Sequence, residues 1–286
     1  MDLSVIVPVF NGADFIASSV ELLHSYLSKS IPAEFEIVVV NDGSTDSTRD
    51  VLESLAIPNC SAIHLPQNKG KFGAISAGML AASGHCCVFT DGDIPYDLDA
   101  IRYMYELIDK RAFHVVVGDR TLKHSEYLQQ QSPLRAAITP IFSTFVRLIV
   151  TGGLHDTQCG LKAFRGDVAQ AIFPLLQDQS FSGDVELLYL ALKYNLEVKR
   201  IPVRLRRNAP SSVRVLGHGI RMFFRICRLR GTWDSGRYHS DVLEKISDQR
   251  YWRWGASELG YAGCEADREV DRESVKPSRV SRPFRA

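Results

Sequence analysis

The chain has 286 residues, 45% of them hydrophobic, and 34 Lys+Arg against 33 Asp+Glu for a formal net charge of +1. That is enough apolar material for one α/β core with an extension, and the near-neutral balance argues against a polyanionic partner such as nucleic acid. The six cysteines, Cys60, Cys86, Cys87, Cys159, Cys227 and Cys264, show neither C-x-x-C nor metal-finger spacing, so reduced thiols in a cytosolic setting are expected rather than disulfides or a zinc framework.

Leu3 to Val9 is an apolar, β-branched run closed by Asn11-Gly12, the pattern of a buried parallel strand. It opens without the basic segment of a secretory leader. Phe15, Ile16, Val20, Leu23 and Leu27 then recur at helical spacing. Phe35 to Val40 is a second strand, broken at Asn41-Asp42-Gly43, after which Ser44-Thr45-Asp46 caps a helix carrying Val51, Leu52 and Leu55. Ala62 to Leu65 is a third strand. Asn68 to Gly73 is a glycine-rich turn and Ala74 to Ala82 a small-residue helix. Backbone N–H groups at such a turn make a phosphate cradle possible. Neither G-x-x-x-x-G-K-[ST] nor G-x-G-x-x-G occurs, which argues against a kinase or a dehydrogenase.

His85 to Thr90 is an apolar strand running into Asp91-Gly92-Asp93. Two carboxylates just past a strand end stand where an open α/β sheet presents its ligand crevice. A hard cation such as Mg²⁺ or Mn²⁺ takes one or two carboxylates plus substrate phosphates. Asp and Gly also make ordinary turns, and the tripeptide alone leaves both readings open.

Further on, Asp97 caps a helix through Ile108, and Phe113 to Val117 is a strand ending at Gly118-Asp119-Arg120. Pro133 starts a helix with Ile138, Ile141, Phe142, Phe145, Leu148 and Ile149, apolar over a wide arc. Asp156 to Lys162 reads as a polar loop, Ser182-Gly183-Asp184 caps a helix through Tyr194, and Glu197 to Val203 is the last strand. Lys199 to Arg230 has no acidic residue, and residues 216–230 read as a basic amphipathic helix, suited to a membrane surface or to packing on the sheet. No apolar run reaches the ~18 residues of a spanning helix. Strand and helix alternate as in βαβ units, which predicts a mainly parallel sheet flanked by helices. A domain over 1–230, a helical extension over 231–262 and a disordered tail over 263–286 are expected.

Ser4-Val5-Ile6-Val7-Pro8-Val9-Phe10-Asn11, Val38-Val39-Val40-Asn41-Asp42-Gly43-Ser44-Thr45-Asp46 and Asp91-Gly92-Asp93 together resemble the inverting family 2 glycosyltransferases of the GT-A fold. Asn68-Lys69-Gly70-Lys71, Gly118-Asp119-Arg120, the stretch from His155 to Phe164, and Asp184 to Tyr189 look like the dolichyl-phosphate glucosyltransferase and mannosyltransferase branch, the glucosyl side being closer. The resemblance implies nucleoside contacts from Pro8, Phe10 and Asp42, Lys71 near the donor, and Asp91 and Asp93 on Mg²⁺ or Mn²⁺. For Asp91 it leaves ribose of the donor as the alternative to the metal. It implies an acceptor phosphate held by Arg120 and Arg135, and a loop with Ser212 and Arg214 closing over the diphosphate. Asp184 would be an acid near the acceptor, so that Asp93, Asp184 and Arg120 form the catalytic set. The chain departs from the pattern at Gly12, where relatives often carry a glutamate, and at Pro95, where the mannosyl enzymes often place a metal-binding glutamine. Asp119 replaces a usual serine, and Asn208 stands where the mannosyl enzymes carry an arginine.

The reaction so implied moves one hexose from a UDP- or GDP-linked donor to a polyprenyl or dolichyl phosphate. The protein would be peripheral on the cytoplasmic face of a membrane, with an integral-membrane partner possible. A family 2 enzyme acting on a polysaccharide or soluble acceptor, and a membrane-docked scaffold that binds nucleotide sugar without turnover, are the alternatives.

Overall fold

The computed structural model describes residues 1–125, 156–180, 182–206 and 227–255. Among the described residues, a central sheet of seven strands has the order β3-β2-β1-β4-β6-β5-β7. Its strands are β1 (Leu3–Val9), β2 (Phe35–Asn41), β3 (Cys60–His64), β4 (Cys86–Phe89), β5 (Val115–Asp119), β6 (Lys162–Arg165) and β7 (Val198–Pro202). The helices are α1 (Ile16–Ser30), α2 (Thr48–Ser54), α3 (Lys71–Ala81), α4 (Asp99–Asp109), α5 (Gly166–Ile172), α6 (Gly183–Lys193) and α7 (Asp241–Gly255).

Period-two alternation divides the strand side chains between two cores. Val5, Val7, Ile37 and Val39 face one layer, where α1 contributes Ile16, Val20, Leu23 and Leu27 at three- and four-residue steps and α4 contributes Ile101, Met104, Leu107 and Ile108. Ile6, Val38 and Val40 face the other, against Phe72, Ile75 and Met79 of α3, Val168 and Ile172 of α5, and Val185, Leu188 and Leu190 of α6. Leu229, Tyr238, Leu243 and Ile246 bury in this second core. The compact unit accordingly runs from Met1 to Ser247, past the expected boundary near residue 230. The remaining unit, Asp248–Ala286, is described only over 248–255, the end of α7. The expected tail at 263–286 and the apolar helix at 133–149 lie outside the described residues, as does the basic helix except for 227–230, which is helical. Among the described residues, no helix is long and apolar enough to cross a membrane.

The sheet is parallel across β3-β2-β1-β4 and again across β5-β7. Between these blocks β6 runs antiparallel to both β4 and β5. The sequence gives no sign of this strand, because Lys162 and Arg165 bracket only two apolar residues. Ala163 and Phe164 nonetheless fill opposite cores, and α5 follows directly. The antiparallel direction brings Lys162, the first residue of β6, to the same edge as the last residues of β1, β2, β4 and β5. Strand order reverses between β1 and β4, the position at which open α/β sheets bind ligands.

Candidate active site

Two loops interlock above the carboxyl ends of β1 and β2. The Asn11 N–H donates to Ser44 Oγ at 2.9 Å, and Asn11 Oδ1 accepts from the Thr45 N–H at 2.8 Å. The Gly12 N–H donates to Thr48 Oγ1 at 2.9 Å, and the Ala13 N–H to Asp46 Oδ2 at 3.2 Å. The arrangement leaves Pro8 half-buried and Phe10 46% exposed at the crevice mouth, where an aromatic face can stack on a base. A Cβ at Gly12 would lie 2.5 Å from Val9 Cγ2 and 2.6 Å from Phe15 Cζ. Phe15 thus fills the space a side chain at position 12 would need.

Asp42, at the end of β2, is buried. It accepts from the Lys69 N–H at 2.7 Å and the Gly70 N–H at 2.9 Å. Burial pushes its carboxyl above the ordinary value, against the pull of these two donors. Next in the turn, the Phe72 and Gly73 N–H groups donate to the Gln179 carbonyl at 2.9 and 3.2 Å. Gly70 has φ 87°, and a Cβ there would stand 2.6 Å from that same carbonyl oxygen. Four N–H groups of the glycine-rich turn, those of Lys69, Gly70, Phe72 and Gly73, are thus taken by Asp42 and Gln179, and the turn starts α3 at Lys71, whose side chain reaches Asp91.

The Asp91-Gly92-Asp93 turn is pressed onto the end of β1, since a Cβ at Gly92 would lie 2.7 Å from the Pro8 carbonyl oxygen. The Ile94 N–H closes it on the Asp91 carbonyl at 3.0 Å. Ile94 has φ 45°. A β-branched residue in the left-handed region is a strained choice, held here by surrounding structure. Lys71 Nζ stands 2.5 Å from Asp91 Oδ1, and a Cβ on Gly160 would stand only 1.9 Å from Asp91 Oδ2. Gly160 is itself fixed by donating its N–H to Tyr96 Oη at 3.1 Å. Burial works against the charge of Lys71, but Asp91 and then Asp184 outweigh it and raise its pKa. Asp93 is part-exposed. Among the described residues, no third carboxylate, imidazole or thiol joins Asp91 and Asp93. An all-oxygen pair of this kind suits a hard cation whose remaining positions are completed by phosphates and water.

Two further ion pairs stand at the β5-β6 side. Arg120 donates from Nε and Nη2 to Asp156 at 2.6 and 2.7 Å, and its backbone N–H donates to the same carboxylate at 2.9 Å. Burial lifts the Asp156 carboxyl, but the guanidinium outweighs that and holds it below the ordinary value. Arg120, expected to hold the acceptor phosphate, is a fork engaged with the Asp156 carboxylate. Lys162 is fully buried and donates from Nζ to Asp184 and, at 2.6 Å, to the Cys159 carbonyl. Asp184 is only 2% exposed, and burial raises its pKa despite Lys162 and Lys71. It sits in the floor of the site rather than at an open acceptor face. Arg135, Ser212 and Arg214 lie outside the described residues. Asp156 and Lys162 are the partners that sequence reasoning missed, although both stand in the Asp156-to-Phe164 stretch that carried the resemblance.

A profile described as glycosyl transferase family 2 matches residues 4–173. A dolichyl-phosphate beta-glucosyltransferase of Dictyostelium discoideum is 31% identical over 240 residues, covering 80% of this chain and 73% of that protein. The proteins of that name from Saccharomyces cerevisiae and Homo sapiens are 28% and 26% identical, covering 70% and 81% of this chain and 66% and 77% of theirs. Among solved structures, glucosyl-3-phosphoglycerate synthase from Mycobacterium tuberculosis with UDP superposes with TM-score 0.58 at 17% identity, covering 80% of each chain. Mannosyl-3-phosphoglycerate synthase from Rubrobacter xylanophilus superposes with TM-score 0.58 at 15% identity, covering 83% of this chain and 76% of that one. These likenesses bear out the GT-A fold expected from the sequence. With the profile spanning more than half of its length, the chain belongs to glycosyl transferase family 2.

Proposed function

We propose that the protein transfers a single glucose, with inversion, from UDP-glucose to a dolichyl or other polyprenyl phosphate. The observation that carries this reading is the carboxylate pair Asp91 and Asp93 at the β1/β4 reversal, beside the exposed Phe10. The named relatives support the sugar and the acceptor, and a structural neighbour holding Mn²⁺ and UDP-glucose supports the donor.

Pro8, Phe10 and Asp42 take the nucleoside, Phe10 by stacking and Asp42 through lone pairs its two backbone donors leave over. Asp91 and Asp93 hold Mg²⁺ or Mn²⁺, which supplies positive charge against the departing diphosphate. Ser212 and Arg214 close over that diphosphate. The acceptor phosphate is already an anion, so it needs orientation and charge compensation more than a strong base. Arg120 and Arg135 provide these, Asp156 keeping the Arg120 fork in one orientation. Residues 216–230 bring the active site to the membrane surface, on its cytoplasmic side, where an integral partner can present the lipid.

The test is incubation with Mn²⁺, a polyprenyl phosphate, and either UDP-glucose or GDP-mannose. Glucosyl lipid from UDP-glucose alone is expected, and Asp93→Ala should lower its rate by about 10²–10³-fold, or ~2.7–4 kcal/mol, with the melting temperature unchanged. UDP release without glycolipid, or near-normal turnover by the variant, overturns the reading.

A further inference from the structure

Asp91, half of the proposed cation site, already has a cation on it. Lys71 Nζ stands at 2.5 Å, and the side chains of Lys71 and Asp91 are 16% and 30% exposed. Behind them lies a second pair, Lys162 with Asp184, from which solvent is excluded. The charges alternate in the order Lys162, Asp184, Lys71, Asp91, because Asp184 attracts Lys71 as well as its own partner. The two lysines differ in access to solvent, Lys71 being 16% exposed and Lys162 fully buried. Lys162 is fixed by Asp184, by the Cys159 carbonyl and by the Phe89 ring 5.5 Å below its ammonium. Lys71 begins a helix next to Gly70, on a four-carbon stem that reaches the part-exposed edge.

A divalent cation and an ammonium on one carboxylate repel each other, and Gly160 crowds Asp91 Oδ2, so an entering metal competes with Lys71 for Oδ1. The lysine would not be stranded on leaving, because Asp184 faces it from α6 and an incoming diphosphate offers a further anion. Resting on the metal-site reading above, we infer that Lys71 is a stand-in cation that neutralises Asp91 until metal and donor bind and then moves to the donor diphosphate. Divalent metal and nucleotide thereby enter as a coupled pair. Lys71 is in this sense a positioning residue for metal loading, and Asp184 is the counter-charge that keeps it within reach, not a proton acceptor.

Mn²⁺ binding to the full-length protein without nucleotide, followed by the electron paramagnetic resonance signal of the free ion, tests this. Lys71→Met and Lys71→Gln should bind Mn²⁺ at least tenfold more tightly than wild type. Lys71→Arg, which retains the charge, should bind as weakly as wild type. Addition of UDP should tighten Mn²⁺ by a larger factor in wild type than in Lys71→Met, as reciprocal coupling requires. Neutral variants that bind Mn²⁺ no better than wild type overturn the inference while leaving the metal site standing, and so does an arginine variant as tight as the neutral ones. Wild type that takes up no Mn²⁺ even with UDP overturns both.

Discussion

The two blocks of the sheet treat the same chemical unit, a cation beside a carboxylate, in opposite ways. On the β1-β4 side, Lys71 and Asp91 meet at the edge with solvent on both. On the β5-β6 side, Lys162 and Asp184 are sealed in the core, and Asp156 is nearly so beneath Arg120. A pair that water still reaches can be exchanged for another partner at lower cost than a sealed one, because water screens the charge left behind. A buried pair has already lost its hydration, so removing one partner leaves an uncompensated charge. The first arrangement suits a place that must take up and release a ligand, and the second suits a frame that must not move while it does so.

The largest test of this contrast is the pair of substitutions Lys162→Met and Lys71→Met. Lys162→Met strands Asp184 in a site from which water is excluded and should destabilise the fold by about 3–5 kcal/mol. Lys71→Met leaves Asp91 30% exposed to water and should cost less, below about 3 kcal/mol. Urea unfolding of both variants measures the difference, and equal losses would erase the distinction.

Asp156→Asn gives the next effect. It should lower stability at neutral pH by about 1.5–3 kcal/mol, the range for hydrogen bonds to charged groups. Its pH signature is specific. Arg120 holds the Asp156 carboxyl below its ordinary value of 3.8. The folded state therefore binds this proton less readily than the unfolded chain. The stability it contributes is complete above that ordinary value and disappears as pH falls through the lower folded one. Wild type should lose stability below about pH 4 more steeply than Asp156→Asn. Parallel acid-unfolding curves would show that the fork adds no stabilisation.

The same contrast explains what could be read from the chain. In the first block β1, β2 and β4 are contiguous apolar runs ended by turn residues, and Asp42, Asp91 and Asp93 follow closely on the ends of β2 and β4. The parallel direction of β1 to β4 follows from the alternation of strand and helix, whereas their order, β3-β2-β1-β4, is given by the structure. In the second block the decisive strand, β6, has four residues, and one of them is a buried lysine. Lys162 belongs in the core only because Asp184, 22 residues later, is there to meet it. Asp156 closes on Arg120 across 36 residues. No local period carries information of that kind. A lysine in a polar stretch reads as solvated, and an arginine at a strand end reads as open. The engagement of the glycine-rich turn is hidden in the same way, since Gln179, which accepts from its Phe72 and Gly73 N–H groups, lies more than a hundred residues away.

The smallest effect tests whether the buried frame continues into the segment after residue 227. The Tyr238 hydroxyl donates to Glu186 Oε1 at 2.5 Å, and the Tyr194 hydroxyl donates to the Tyr238 carbonyl. Glu186 also accepts from the Gln177 and Asp178 N–H groups at 3.0 and 2.8 Å. Tyr238→Phe removes one of three donors to a buried carboxylate without opening a cavity, so a loss of about 1.5 kcal/mol is expected, the low end for such bonds. Burial lifts the Glu186 carboxyl above its ordinary value of 4.5, and the hydroxyl and backbone donors offset part of that. A carboxyl raised in the folded state binds its proton more tightly than in the unfolded chain. Its penalty is absent at acid pH and complete once pH passes the folded value. Without the hydroxyl that value rises further, so the deficit of Tyr238→Phe should be small at pH 4 and grow toward neutrality. A deficit independent of pH would mean that the hydroxyl does not engage the carboxylate, and that the last helices rest on α6 through apolar contact alone.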